Sequence, residues 1–178
     1  MVFKVEAVKE EASGFIKANT LRKPVTFFAK HKAKLVEGDA TSHAINGLLA
    51  RHGYTAVAGK KAGKHIQCLS ALANCLKADQ ALTESIFPVV IDASAGGFIE
   101  ERILMGFFYL EKYGNQTLTT KRWRDRIRKF TREDYATAIA RAIAAFARGG
   151  PRRYAEGIME VLNFKLRDGA KIEFRAKE

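Results

Sequence analysis

Residues 98–112 read FIEERILMGFFYLEK, and their pattern sets the expected fold class. Large apolar side chains recur at Ile103, Leu104, Phe107, Phe108 and Leu110. These positions follow the three- and four-residue spacing of one helical face. The sequence therefore predicts a strongly apolar helix here, preceded by a joint at residues 95–97, which read Ala-Gly-Gly.

Helical periodicity continues on both sides of this segment. Helices are predicted over residues 7–18, 26–37, 39–52, 68–77, 79–94, from 117 or 119 through the basic segment, 134–148 and 151–167. Capping is expected from Thr26, from Asp39 or Thr41, and from Thr131, while Pro88 should kink or split the helix that contains it. Short strands are predicted over residues 2–5, 54–57, 65–67 and 171–174, the middle two forming a basic hairpin. The expected fold is mainly α: a single-domain bundle of seven to eight helices over residues 1–178, with 1–115 and 116–178 as its two parts.

The charge of the chain points to an anionic partner. The 178 residues include 31 basic and 19 acidic side chains, giving a formal net charge of +12 and a pI near 9.9. Residues 114–178 hold much of this surplus. Nucleic acid is the usual partner for such a bias, with an anionic membrane surface or an acidic protein as less common alternatives.

The densest basic segment is KRWRDRIRKFTR, residues 121–132, in which Asp125 is the one acid. Trp123, Ile127 and Phe130 recur at i, i+4 and i+7, so they should anchor a helix in the core. Trp123 as a base-stacking group is the alternative. The candidate phosphate-binding residues here are Lys121, Arg122, Arg124, Arg126, Arg128, Lys129 and Arg132.

Two further basic groups extend the predicted nucleic-acid footprint. One flanks the expected helix start at Pro151, where free backbone N–H groups attract anions. It consists of Arg148, Arg152 and Arg153. The other lies in the glycine-punctuated loop AGKKAGKH, whose spacing does not match a nucleotide-binding loop. It consists of Lys60, Lys61 and Lys64.

No residue pattern in the chain indicates catalysis, a metal or another cofactor. The four histidines, His31, His43, His52 and His65, lack metal-ligand spacing, and the adjacent carboxylate pairs are not placed to share one site. Cys68 and Cys75 would lie roughly 10 Å apart on a helix, so they are expected to be buried thiols in a reducing cytosol. No signal peptide or membrane-spanning segment is recognisable, and a cytoplasmic protein is expected.

Residues 135–147, YATAIARAIAAFA, form a second unusual segment. The predicted helix is apolar on nearly all faces, so the domain core or a second copy of the chain should bury it. Both alternatives, a central helix and a homodimer interface, remain open from the sequence.

The N-terminal part resembles a known group of proteins through several short motifs. These are Glu10-Glu11-Ala12 with Phe15 and Asn19, Leu21–Val25, Lys30–Leu35, Gly38–Tyr54, and Gly106-Phe107-Phe108 with Tyr113. Residues 2–115 are similar in these motifs to the helical C-terminal portion of phage and mobile-element proteins of the ParB/sulfiredoxin-like nuclease superfamily. The DGxHR-type core motif of that superfamily is absent from the chain, so no catalytic role carries over. The resemblance implies a phage-type origin, a bacterial host cytoplasm and a function connected with DNA.

These observations predict a non-enzymatic protein that binds nucleic acid, with DNA favoured over RNA, through the basic helix. The alternative is a small phage interaction or inhibitor module that binds an acidic host protein. A third interpretation places a catalytic partner chain against residues 2–5.

Overall fold

The computed structural model describes residues 26–57, 63–146 and 149–175. These residues are mainly helical with one small sheet, which confirms the predicted mainly α class. The helices are α1 (Phe27–Val36), α2 (Ala40–Arg51), α3 (Leu69–Ala78), α4 (Gln80–Ala93), α5 (Glu101–Tyr113), α6 (Lys121–Ile127), α7 (Arg132–Ala145) and α8 (Gly150–Asn163). The strands are β1 (Thr55–Ala56) and β2 (His65–Ile66). The helix predicted over residues 7–18 and the strand predicted over 2–5 lie outside the described residues.

Side-chain caps fix the starts of several helices. Thr26 accepts a hydrogen bond from the backbone at the start of α1, and Asp39 is the residue that caps α2. Thr131 and Asp134 form a reciprocal capping box at α7. Helix α4 continues through Pro88, so the proline does not split it. The predicted caps at Thr26 and Thr131 are confirmed.

Helix α5 is the centre of the packing. Ile103, Leu104 and Phe107 on it are fully buried, and it contacts α3, α4, α7 and α8. It begins three residues later than predicted. The reason is that Ile99, just before it, is in extended backbone and forms a parallel bridge with Ile66 of β2.

Two glycines allow α8 to lie close to its neighbours on both sides. A Cβ added at Gly106 of α5 would meet Tyr154 backbone and the Ile158 side chain of α8 at 3.1 and 2.5 Å. A Cβ added at Gly157 of α8 would lie 2.6 Å from the backbone of Ile139 in α7. The three helices therefore pack in the order α5–α8–α7 with little space between their backbones.

The two short strands correct one prediction. They pair in parallel, with Thr55 opposite His65 and Ala56 opposite Ile66, so the predicted antiparallel hairpin is wrong. Parallel pairing lets Ile66 lie between β1 and Ile99, where both isoleucines are completely buried. The buried contact between Ile66 and Ile99 therefore favours parallel pairing, although the glycine-rich loop alone would indicate a hairpin.

Helix α7 is buried along one face only. The residues of that face are Tyr135, Ala138, Ile139 and Ala142. On the opposite side Ala136, Ala140 and Ala144 are exposed. The prediction that the domain core surrounds this helix is therefore wrong for the alanine face, because an exposed methyl group costs little free energy. A homodimer contact through residues 135–147 stays a prediction.

The chain turns back after α8 to close the domain. The Asn163 side chain donates to the Ile172 carbonyl at 2.8 Å and accepts from the Ile172 N–H at 2.7 Å. This ends the helix four residues earlier than predicted. In place of the predicted strand over residues 171–174, Phe174 forms one antiparallel bridge with Gly114. Pro151 occupies the first turn of α8, as predicted.

Candidate nucleic-acid interface

Helix α6 carries most of the predicted basic segment and is held by its apolar face. Trp123 is 2% exposed and Ile127 is completely buried, while Phe130, just beyond the helix, packs against the core. The Trp123 indole donates to the Gln116 side chain at 3.4 Å. The Tyr135 hydroxyl donates to the Ile127 carbonyl at 3.0 Å. The predicted core-anchoring role of Trp123 and Ile127 is confirmed.

One flank of α6 is neutralised by a carboxylate on another helix. Asp92, in the last turn of α4, accepts from Arg124 at 2.7 Å and from Arg128 at 3.1 Å. Arg128 also lies 3.5 Å from Asp125. Because the Asp92 side chain is only 12% exposed, these ion pairs stabilise the contact between α4 and α6 and occupy both arginines.

Arg132 is also used within the fold. Its guanidinium lies 4.2 Å from the centre of the Phe98 ring, 3.8 Å from Glu100 and 3.2 Å from Glu133. A cation stacked on an aromatic ring and bracketed by two carboxylates has much of its field compensated. Three of the seven predicted phosphate-binding residues, Arg124, Arg128 and Arg132, thus have carboxylate partners.

The opposite flank carries Arg122 and Arg126 on α6 and Lys129 in the turn just after the helix. Arg126 donates to the Leu162 carbonyl at 2.5 Å and to the Phe164 carbonyl. These carbonyls belong to the C-terminal end of α8, where the helix dipole is negative. Partial burial lowers the pKa of Arg126, yet a guanidinium remains charged at neutral pH. Arg126 therefore fixes α6 to α8 without losing its positive charge.

Just after the end of α8, Lys165 adds a further positive charge to this flank, and Phe164 beside it adds an exposed aromatic ring. The Phe164 side chain is 58% exposed, and the Lys165 ammonium lies 5.1 Å from the centre of its ring. Lys165 follows directly after the carbonyl that Arg126 binds. We define the cation stripe as Arg122, Arg126, Lys129 and Lys165. Among residues 26–57, 63–146 and 149–175, no carboxylate lies within ion-pair distance of any of the four.

The other predicted residues lie away from the stripe or outside the description. Lys121 is exposed on the side of α6 that faces away from the core. Lys64 is exposed beside β2. Lys60, Lys61 and Arg148 lie outside the described residues.

Arg152 and Arg153 are at the N-terminal end of α8, whereas the stripe meets its C-terminal end. At 1.5 Å per residue, Arg152 and Phe164 are separated by about 18 Å along the helix. Arg153 donates to the Phe146 carbonyl at 3.0 Å, and Arg152 lies 3.5 Å from Glu156. The structure therefore does not bring the predicted basic groups into one compact patch.

Arg152 instead belongs to an aromatic cluster that the sequence did not indicate. Its guanidinium lies 5.2 Å from the centre of the Phe174 ring, which packs against Tyr109. Tyr109 in turn lies 4.5 Å from Tyr113, and Lys112 is 5.7 Å from the Tyr113 ring. The four-residue spacing of the two tyrosines was visible in the sequence, but only the fold adds a phenylalanine from the far end of the chain.

The described cysteines are not placed for nucleophilic chemistry. Cys68 and Cys75 are buried and free, and burial raises the pKa of each thiol to about 12. A thiol with such a pKa is protonated at neutral pH and is a poor nucleophile. In the part of the chain that the structure describes, no group of three or more His, Cys, Asp or Glu is arranged to hold a metal ion.

No described helix is both long enough and apolar enough to cross a membrane. The resemblance of residues 2–115 to the ParB/sulfiredoxin-like superfamily stays a prediction. Comparison with family models, curated proteins and solved structures finds no match to this chain.

Proposed function

We propose that the protein binds nucleic acid through the cation stripe, with Phe164 as a surface on which an unpaired base stacks. The observation that carries this proposal is the absence, among the described residues, of any carboxylate paired with Arg122, Arg126, Lys129 or Lys165. Four positive charges beside an exposed aromatic ring favour a polyanion that also has flat apolar groups.

The fixed position of the stripe supports the proposal further. Trp123 and Ile127 anchor α6 in the core, and Arg126 is bound to α8 carbonyls, so the charges sit on a rigid surface. Ordering a lysine or arginine costs side-chain entropy, and part of that cost is already met here. Such a surface suits phosphate contacts, which give affinity without reading sequence.

Single-stranded nucleic acid is the form that this surface favours. Stacking on Phe164 requires an unpaired base, and aromatic stacking typically contributes roughly 1–3 kcal/mol per base. We propose a binding role without catalysis, with DNA as the preferred partner and a phage-type setting.

Fluorescence anisotropy with labelled single-stranded and duplex DNA and single-stranded RNA tests the proposal. The double variant Lys129→Gln/Lys165→Gln should weaken all binding and make it less salt-dependent. When the logarithm of the binding constant is plotted against the logarithm of the salt concentration, the steepness should fall by about 0.7 for each phosphate of a single strand that the variant no longer neutralises. Phe164→Ala should weaken single-strand binding roughly tenfold and duplex binding much less.

The matched control is Lys32→Gln/Arg102→Gln, which removes the same charge from exposed positions on α1 and α5. Equal loss of affinity in the control would show that net charge, and not the stripe, is responsible. No binding below ~10 μM at low salt, by any of the three oligonucleotides, would refute the proposed function, because non-specific binders commonly reach that range.

A further inference from the structure

A second cationic feature lies between α1, α3 and the start of α2. It is a cavity of about 110 Å³, several times the ~30 Å³ that one water molecule occupies in the liquid. Lys30 and Lys34 of α1 line it at i and i+4, and Lys77 of α3 lines it too. No residue of the cation stripe takes part in it.

His31 gives this cavity a buried ring nitrogen without a hydrogen-bond partner among the described residues. The side chain is 5% exposed and lines the cavity, and its Nε2 lies 3.1 Å from the Asn46 Oδ1. Because an amide oxygen only accepts, Nε2 carries a hydrogen and donates it. The other ring nitrogen, Nδ1, is buried without a hydrogen bond within the described chain. An unsatisfied buried nitrogen is costly, so a ligand atom that bonds to it would be favoured.

The charges around the cavity leave a positive excess. Lys30, Lys34 and Lys77 have no carboxylate within ion-pair distance among the described residues. Asp39 is the one acid in the lining, and Ser42 donates to it from both its hydroxyl and its backbone N–H at 2.8 Å. These hydrogen bonds, with smaller help from Lys34 and Lys77, lower the pKa of Asp39, which is therefore ionised. Three positive charges and one negative charge leave two positive charges, the number that a phosphate dianion would balance.

We infer that this cavity binds the phosphate group of a small phosphate monoester, with Lys30, Lys34 and Lys77 around the oxygens and His31 Nδ1 as a hydrogen-bond partner. Nδ1 contacts an oxygen of the dianion as a hydrogen-bond donor, because a phosphate monoester dianion has no hydroxyl hydrogen to give. Phe27, at the rim and 42% exposed, provides an apolar surface for the organic part of the ester. The site is separate from the proposed nucleic-acid surface.

Isothermal titration with inorganic phosphate and with phenyl phosphate, at physiological salt, tests the inference. Saturable binding with a Kd below about 1 mM is expected for phenyl phosphate, and weaker binding for phosphate, because the latter has no ring to cover Phe27. Lys34→Gln and Lys77→Gln should each weaken binding roughly tenfold, since each removes a charge-assisted hydrogen bond. Both residues are at the surface, so the variants should remain folded.

Lys32→Gln is the matched control, because Lys32 lies on α1 but lines a different cavity. It should change the affinity less than twofold. Equal weakening by Lys32→Gln, or no saturable binding of either ligand up to about 10 mM, would overturn the inference.

Three further measurements distinguish this cavity from the cation stripe as the place where phenyl phosphate binds. In the wild-type protein, the ¹⁵N resonance of His31 Nδ1 should move on titration with phenyl phosphate, and a signal that stays unchanged would contradict the proposed contact. The stripe variant Lys129→Gln/Lys165→Gln should bind phenyl phosphate normally. Displacement of phenyl phosphate by an oligonucleotide would overturn the small-molecule assignment and give the cavity to nucleic acid.

Discussion

Replacing Gly157 by alanine should destabilise the protein, although alanine is the better helix former. At Gly157 the backbone of α8 lies close to the backbone of α7. The new methyl group would lie 2.6 Å from the Ile139 Cα and N and 2.8 Å from the Ala138 carbonyl carbon. Ordinary contacts begin near 3.4 Å, so the two helices would have to separate by almost an ångström. Backbone atoms cannot rotate away from the contact as a side chain can.

The expected free-energy change is the difference between two effects. Overpacking of this kind typically costs about 1–3 kcal/mol, and contact with rigid backbone places Gly157→Ala at the upper end. The helix propensity of alanine returns up to about 1 kcal/mol. The net destabilisation is therefore about 2 kcal/mol, which corresponds to a fall in Tm of roughly 4–8 °C for a chain of this size.

Gly47 provides the control with the opposite sign. It lies on the exposed face of α2, and a Cβ added there meets nothing within 4 Å. Gly47→Ala should therefore raise the stability by about 0.5–1 kcal/mol. Urea unfolding followed by circular dichroism measures both variants. If Gly157→Ala proved as stable as the wild type, the close packing of α7 and α8 would be incorrect.

Three further results are expected. Hydrogen bonds from Thr131 lower the pKa of Asp134, so their stabilising effect is complete above the unfolded-state pKa near 3.8 and is lost as the pH falls through the lower folded-state pKa. Asp134→Asn should therefore flatten the pH dependence of the free energy of urea unfolding below pH ~4. An unchanged pH dependence would contradict the capping box. Cys68 and Cys75 should resist alkylation by iodoacetamide at pH ~8 until the protein unfolds, because burial raises the pKa of both thiols. Labelling of the folded protein at the rate of a free thiol would contradict their burial. Arg126→Met should lower the free energy of unfolding by roughly 1–3 kcal/mol, because it removes two charge-assisted hydrogen bonds to the end of α8. Thermal denaturation measures this change. A change below experimental error would show that these hydrogen bonds do not stabilise the fold.

Local signals in the sequence were sufficient for most helices. Thr26 and Thr131 were recognisable caps because an N-cap needs only a short polar side chain and a free N–H two or three residues later. The anchoring of Trp123 and Ile127 followed from helical spacing alone. These features depend on neighbours within one or two turns, so periodicity and side-chain chemistry predict them.

The distribution of the basic charges was not predictable in the same way. A sequence gives the number of cations in a segment but not the acids that the fold brings to them. Asp92 lies 32 residues before Arg124 and pairs with it through the contact between α4 and α6. Lys165 joins the stripe only because Arg126 binds carbonyls at the end of α8. Both facts require the tertiary structure.

The direction of strand pairing is a second feature that the local sequence did not predict. A short glycine-rich connection between two apolar segments normally indicates an antiparallel hairpin. The parallel pairing of β1 and β2 depends on Ile99, which lies far beyond β2 in the chain and pairs with Ile66 on its free side. Information from such a distance is not contained in the local pattern.

The double ion pair of Asp92 has a consequence for how this surface can evolve. A single nucleotide change converts an aspartate codon to an asparagine codon, and Asp92→Asn would release Arg124 and leave Arg128 with only its 3.5 Å contact to Asp125. The cationic area would then extend across both flanks of α6, while α4 and α6 would be joined by a weaker contact. Greater attraction for polyanions and lower stability would thus arise in the same mutational step. Under the proposed function, selection acting on this one position would exchange stability of the contact between α4 and α6 against the size of the cationic surface.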